Sequence, residues 1–177
     1  MKDDRINTLA MLAAAAMFFS TLEYLIPKPV PFFRIGLANL PILVVLPFFR
    51  NRDMAALALL KVIGQGLING TLASYVFLFS LFGTTASVFV MVLFYRIGGR
   101  HVSLIGVSAL GALASNVVQI TLSVQFIFGP RSWVIAPPFL IIGTIAGAFL
   151  GVVAGSFSRD SQWLMRLRRE YRGEAAQ

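Results

Sequence analysis

Two groups of polar side chains occur inside stretches of sequence that are otherwise apolar. In the first group, Lys61, Gln65 and Asn69 follow one another at intervals of four residues, a spacing that places them on one face of a helix. A lysine buried in an apolar segment is costly and needs a partner or a ligand to compensate its charge. This face is therefore suited to holding an anion, such as a phosphate or a carboxylate.

The second group lies later in the chain, where Asn116, Gln119 and Ser123 again share one helical face. Arg34 and Asn39 open an earlier apolar stretch, and Glu23 lies near the end of the first one. Glu23 is one candidate partner for Lys61, and an anion held jointly with Arg34 is the other. Such an anionic ligand would explain two cations with a single acid nearby. The amides would hydrogen-bond a polar edge of the same molecule.

The sequence lacks the residues and motifs that several common types of catalytic and metal site require. The chain has no cysteine and a single histidine, His101, which excludes a thiolate site and argues against a histidine-built zinc site. It lacks a glycine-rich phosphate loop, and its aspartates form no motif that would hold magnesium and a diphosphate. We therefore expect no catalysis, no catalytic cofactor and no bound metal.

The composition indicates a membrane protein, because 58% of the residues are hydrophobic and only 12% are charged. In soluble domains about a quarter of the residues are charged. Apolar runs predict an all-α bundle of six transmembrane helices, at residues 8–26, 35–49, 54–70, 72–95, 102–128 and 134–157. The second run is short and carries Pro41 and Pro47, which is compatible with a tilted or broken helix. These spans form one transmembrane domain over residues 1–158, and residues 159–177 are predicted to be a basic amphipathic tail at the cytoplasmic surface.

The positive charges predict the orientation of this bundle. With a cytoplasmic N-terminus, eleven of the 15 Lys and Arg residues lie inside and three lie outside, in accord with the positive-inside rule. Both termini are therefore predicted to face the cytoplasm, in the inner membrane. The net charge of +8 is then explained by topology and lipid headgroups, not by nucleic acid. In this orientation Lys61 and Asn116 lie near the middle of the membrane. The outer half holds Glu23, Arg34, Asn39, Gln65, Asn69 and Gln119.

This convergence predicts an outward-facing pocket. Its expected ligand-binding residues are Arg34, Asn39, Lys61, Gln65, Asn69, Tyr75, Asn116 and Gln119. Tyr75 is included because an aromatic ring can stack on a flat ligand. The alternative is that the amides only hydrogen-bond one another between helices, which is the simpler explanation for any single Asn or Gln. Lys61 favours the pocket, because a buried cation needs more than an amide contact.

Small residues mark two packing surfaces. Four glycines recur at every fourth position of the last span, namely Gly143, Gly147, Gly151 and Gly155. Such a stripe lets another helix approach closely, and packing within the bundle is its simplest interpretation. Ala10 and Ala14 have the same spacing in the first span. They serve either internal packing or the docking of a partner, and their spacing alone leaves both readings open.

Three segments together resemble one protein family. They are the Gly-Leu-Ala-Asn run that ends at Asn39, then Lys61 with Gly70 and Ser74, and finally residues 108–112 followed by Asn116 and Gln119. The chain resembles the membrane family named heptaprenyl diphosphate synthase component I, also called the Gx transporter family, over about residues 30–157. Ser115 stands where the family pattern leads us to expect a histidine.

The resemblance carries further implications. The family is similar to the substrate-binding S components of energy-coupling factor transporters, which are six-helix bundles with cytoplasmic termini and an outward-facing pocket. It implies a flavin (riboflavin, FMN or FAD) as the transported ligand. It also implies that Ala10 and Ala14 dock an energy-coupling membrane subunit that works with ATPases.

The sequence therefore predicts a membrane transporter or binding protein for a small anionic molecule, with a flavin as the ligand that the resemblance implies. One alternative is a membrane subunit of a polyprenyl (heptaprenyl) diphosphate synthase, which would bind a prenyl diphosphate and a soluble catalytic partner. Another is a structural membrane protein whose polar groups only join helices.

Overall fold

A computed structural model of the chain describes residues 2–26 and 35–174. Within these ranges the protein is helical throughout and contains no strand. The helices are α1 (Lys2–Leu25), α2 (Leu40–Val45), α3 (Asn51–Ile68), α4 (Tyr75–Gly98), α5 (Leu104–Phe126), α6 (Ser132–Asp160) and α7 (Gln162–Glu174). Single 3-10 turns at Leu37–Asn39, Gly99–His101 and Gly129–Arg131 precede α2, α5 and α6.

Four segments of the described chain are long and apolar enough to cross a membrane. They are Arg5–Leu25 in α1, all of α4, all of α5, and Gly129–Asp160, which comprises α6 and the turn before it. The protein is therefore a multi-pass membrane protein, as its composition predicts. The third predicted span forms α3, but this helix of 18 residues contains three charged side chains, Arg52, Asp53 and Lys61, and is not among these four segments. The full count of six spans and the cytoplasmic termini remain predictions.

The second predicted span does not form one continuous helix. Residues 35–49 contain only the six-residue helix α2 and the turn before it. A helix of that length is about 9 Å long, whereas the hydrocarbon core is about 30 Å thick. Pro41 lies in the first turn of α2, where a missing N–H is tolerated. Gly36 precedes the 3-10 turn with a φ of 92°, a conformation that favours glycine.

Helix α2 instead forms the centre of the bundle. Ile42, Val45 and Leu46 are completely buried, and a helix that is apolar on every side is stable only when it is surrounded. Every other α-helix contributes to the same apolar cluster, through Leu12, Met54, Leu57, Val88, Met91, Val107, Ala154 and Leu164. This apolar run therefore forms a short core helix, and not one continuous helix as long as a membrane is thick.

The glycines of α6 pack inside the bundle, against α5. A Cβ added at Gly147 would lie 2.4 Å from the Cβ of Ala112, and one added at Gly151 would lie 2.5 Å from the Cα of Ile105. The internal interpretation of this stripe is confirmed for these two positions. A Cβ at Gly155 meets nothing within 4 Å.

Ala10 and Ala14 face away from the bundle, because both are exposed while Ala13 and Ala16 on the same helix are buried. Of the two readings that the sequence leaves open for this pair, the structure therefore does not favour internal packing. Docking of a partner at this face remains a prediction.

Basic residues gather at one end of the bundle, which we call the basic end. Arg5 of α1 is paired there with Asp53 of α3 at 2.6 Å, and Arg96 of α4 donates to Asn51 Oδ1 at 3.3 Å. The predicted amphipathic tail forms α7 at this end. Its Leu164 and Leu167 are buried, so its apolar side packs on the bundle.

Candidate functional site

A narrow cavity lies between α1, α3, α4, α5, α6 and the 3-10 turn before α2. Its volume is about 30 Å³, which is room for one or two water molecules. Four of the predicted site residues line it, namely Asn39, Lys61, Asn116 and Gln119. The other lining residues are Glu23, Ile35, Gly36, Ala38, Thr84, Met91, Ser108, Ala112, Ser115, Gly147 and Leu150.

Lys61 supplies the positive charge of this cavity. Its side chain is only 3% exposed, and its Nζ donates to Asn39 Oδ1 at 2.5 Å and to Thr84 Oγ1 at 3.4 Å. The three residues come from α3, the turn before α2 and the middle of α4. Both acceptors are neutral oxygens, so they orient the ammonium group without cancelling its charge. An anion that reached this point would find a fixed cation with its hydrogen bonds already directed.

Glu23 brings a carboxylate to the same cavity. It is 4% exposed, and its Oε1 accepts a hydrogen bond from the Gly36 backbone N–H at 3.1 Å. This bond ties the end of α1 to the segment that leads into α2. Among the described residues, the cavity therefore has one cation and one carboxylate in its lining. Arg34, the second cation predicted for the site, lies outside the described residues.

Two amides of α5 reach the cavity with unused hydrogen-bonding atoms. Gln119 donates from Nε2 to Ser115 Oγ at 3.0 Å, but its Oε1 and the Nδ2 of Asn116 have no partner in the described part of the protein. Both side chains are at most 2% exposed. A buried polar atom without a partner costs about 1–3 kcal/mol, so these two atoms favour a bound water or ligand beside them.

Glycines make room for these amides. A Cβ at Gly143 of α6 would lie 1.8 Å from Asn116 Nδ2, and a Cβ at Gly83 of α4 would lie 3.0 Å from Gln119 Nε2. The backbones of α4 and α6 can therefore approach α5 closely enough to enclose both side chains. The same glycine spacing that packs α6 on α5 thus also shapes one wall of the cavity.

Other predicted site residues lie outside the cavity lining. Gln65 accepts from Ser80 Oγ at 3.3 Å, which is a contact between α3 and α4 of the kind that joins helices. Asn69 ends α3, with its backbone N–H bonded to the Gln65 carbonyl. Tyr75 begins α4 and is 51% exposed, with its ring edge-on to Phe79 at a centroid distance of 6.4 Å.

Helix α4 contributes a polar face that our sequence reading did not include. Ser80, Thr84 and Ser87 are all buried and are spaced by four and three residues, which is one helical face. Thr84 holds Lys61, and Ser80 holds Gln65. The signal was present as a row of hydroxyl side chains in a strongly apolar helix. Among the described residues, no group of three or more His, Cys, Asp or Glu side chains could hold a metal ion.

Comparison with known families gives one match. The family described as heptaprenyl diphosphate synthase component I matches residues 12–157, which include every described cavity residue and exclude α7. No curated protein and no solved structure matches this chain.

Proposed function

We propose that this chain, which belongs to the heptaprenyl diphosphate synthase component I family, is a membrane carrier or substrate-binding protein for a small anionic molecule. The ligand proposed is a flavin, which the cavity would take up from outside the inner membrane. In this proposal both termini face the cytoplasm, and the exposed face at Ala10 and Ala14 is available to an energy-coupling subunit with ATPases.

The observation that carries the proposal is the arrangement around Lys61. A lysine that is 3% exposed and donates to the side-chain oxygens of Asn39 and Thr84 is placed to bind an anion that enters the cavity. The phosphate of FMN supplies that anion. Asn116 Nδ2 and Gln119 Oε1, which lack partners among the described residues, offer one donor and one acceptor for the ligand's polar edge.

The size of the cavity sets a requirement on this function. A volume of about 30 Å³ is far below the roughly 300 Å³ at which small-molecule pockets begin. The described structure therefore corresponds to a closed form, and the helices around Lys61 must move apart when the ligand binds. Such opening would replace internal hydrogen bonds, such as Lys61 to Asn39, with bonds to the ligand.

A second candidate function rests on the description of the family, which names a component of a prenyl diphosphate synthase. In that case the anion held by Lys61 would be a diphosphate, and a soluble partner would carry the catalytic groups. Both candidates use the same cation, so the chemical nature of the ligand decides between them.

The test is to identify what the purified protein carries. The protein is isolated in mild detergent with no added ligand, its visible absorption spectrum is recorded, and any molecule released on denaturation is identified by mass spectrometry. A yellow preparation that releases riboflavin, FMN or FAD supports the carrier, whereas a colourless one that releases a prenyl diphosphate supports the synthase subunit. If nothing is released, titration with FMN and with farnesyl diphosphate follows, and binding of neither would refute both functions.

A further inference from the structure

A hollow much larger than the polar cavity lies away from it, on the outside of the bundle between α3 and α4. We call it the α3–α4 groove. Its volume is about 420 Å³, against about 30 Å³ for the polar cavity. Its walls are almost entirely apolar and include Met54, Ala58, Val62, Val88 and Phe89.

The few polar groups of the groove wall are already hydrogen-bonded. The Thr85 hydroxyl donates to the Leu81 carbonyl of its own helix at 2.7 Å, and the Asn51 side chain accepts from Arg96. An occupant of the groove therefore meets hydrocarbon along most of its length. A hydrocarbon chain satisfies such a surface, whereas a polar molecule would lose hydrogen bonds to water without replacement.

The groove is at least as long as one leaflet of a bilayer is thick. Its lining runs from Asn51 to Val62 on α3 and from Leu81 to Arg96 on α4, which are rises of about 16 Å and about 22 Å at 1.5 Å per residue. Half of a hydrocarbon core is about 15 Å thick. The groove therefore begins at the basic end of the bundle and reaches the depth at which one lipid acyl chain would end.

The mouth of the groove carries an excess of positive charge. Arg96 lines it and uses its Nε and one Nη nitrogen on Asn51 Oδ1 and on the Phe49 carbonyl. A guanidinium has five N–H groups, so further donors can point outwards from this exposed side chain. The nearby acid, Asp53, is paired with Arg5 and does not offset the charge of Arg96.

We propose that the α3–α4 groove binds one anionic phospholipid, with an acyl chain along the apolar wall and its phosphate on Arg96. A hydrocarbon wall at least one leaflet long that ends at an arginine is complementary to this class of molecule. The lipid would cover the joint between α3, the helix that carries Lys61, and α4, the helix that carries Thr84. The site is separate from the polar cavity and stands whether or not that cavity binds a flavin.

The test uses the full-length protein in mild detergent and native mass spectrometry. The protein is incubated with equal amounts of phosphatidylglycerol and phosphatidylcholine that have identical acyl chains, and the lipids retained by each molecule are counted. We expect one phosphatidylglycerol to be retained with a preference of about ten-fold or more, because both lipids carry the same phosphate but the choline cation of phosphatidylcholine offsets that charge and is repelled by Arg96. A phosphatidylglycerol with a photoreactive acyl chain should crosslink to peptides of α3 and α4.

Matched variants separate the two parts of the site. Arg96→Gln should abolish the preference for phosphatidylglycerol, whereas Arg159→Gln, which removes the same charge from the exposed end of α6, should keep it. Ala58→Phe should fill the groove and reduce retention of both lipids without touching Arg96 or its contacts. Ile145→Phe adds bulk at an exposed position of α6 and should leave lipid retention unchanged.

Any of the following results would overturn the proposal. The first is equal retention of the two lipids by the wild-type protein. The second is an equal loss in Arg159→Gln and Arg96→Gln, or crosslinks that lie outside α3 and α4. The third is a dimer that carries no lipid and is broken by Ala58→Phe, which would show that a second copy of the chain occupies the groove.

Discussion

Replacing Lys61 with methionine removes the charge of the polar cavity while keeping a side chain of similar length. If Lys61 holds the phosphate of FMN, its loss removes a charge-assisted hydrogen bond worth about 1.5–3 kcal/mol. The dissociation constant for FMN should then rise about 10- to 100-fold. Riboflavin has the same ring system without the phosphate, so its dissociation constant should change much less.

The matched control lies one helical turn further along α3. Gln65→Met places the same side chain on the same helix, but Gln65 contacts Ser80 and does not line the cavity. This variant should lose about 1 kcal/mol of stability with its hydrogen bond and should bind FMN with nearly wild-type affinity. Titrations that follow the quenching of flavin fluorescence, together with thermal unfolding in detergent, provide both numbers.

Two results would refute the reasoning. One is an unchanged FMN affinity in Lys61→Met with the protein still folded, because the buried cation would then not contact the ligand. The other is an equal loss for riboflavin and for FMN, because Lys61 would then act on the ring or on the fold and not on the phosphate. An intact fold is expected, since the substitution removes a buried charge and keeps a side chain of similar length, although the oxygens of Asn39 and Thr84 lose this donor.

Three further predictions concern packing and polar contacts. Gly151→Ala should destabilise the protein by about 1–3 kcal/mol, because the new Cβ would lie 2.5 Å from the α5 backbone. The control Gly155→Ala places a Cβ with nothing within 4 Å and should be neutral or slightly stabilising. Equal melting temperatures for the two variants would contradict the α5–α6 packing. Asn116→Leu should raise the melting temperature of the ligand-free protein, because it removes a buried donor without a described partner. The same variant should bind FMN about ten-fold more weakly. Stronger FMN binding in a titration would contradict a hydrogen bond from Asn116 to the ligand. Tyr171→Ala should lower the free energy of unfolding by about 1 kcal/mol, because the Tyr171 ring stacks on the Phe49 ring at a centroid distance of 4.9 Å. An unchanged denaturation midpoint would show that this contact of α7 does not contribute to stability.

Helical periodicity predicts which polar residues share a helix face, but it does not predict which of them line the cavity. Lys61 and Asn116 were found because a charge or an amide inside an apolar run is costly and therefore informative. Periodicity also grouped Gln65 with Lys61, although only Lys61 lines the cavity. The two residues share a face of α3 but have different partners on α4. Thr84 contacts Lys61, whereas Ser80 contacts Gln65. This pairing of α3 with α4 depends on tertiary packing.

The second predicted span shows a different limit. An apolar run of this length is typical of a short membrane span or of a fully buried core helix. The proline at position 41 and the glycine at position 36 are compatible with both. Only the surrounding helices decide, and they enclose α2 so completely that Ile42 and Val45 have no exposed surface. The space that Gly83 and Gly143 leave for the side chains of α5 likewise depends on how α4 and α6 pack against α5, which the sequence alone does not give.

The central claim, that the polar cavity binds a flavin, is tested most directly by equilibrium dialysis of the wild-type protein against FMN and, in parallel, against farnesyl diphosphate. The account predicts saturable binding of one FMN per chain, weakened about 10- to 100-fold in Lys61→Met and kept in Gln65→Met, with no saturable binding of the prenyl diphosphate. Saturable binding of the prenyl diphosphate with none of FMN would contradict the account and favour a membrane subunit of a synthase.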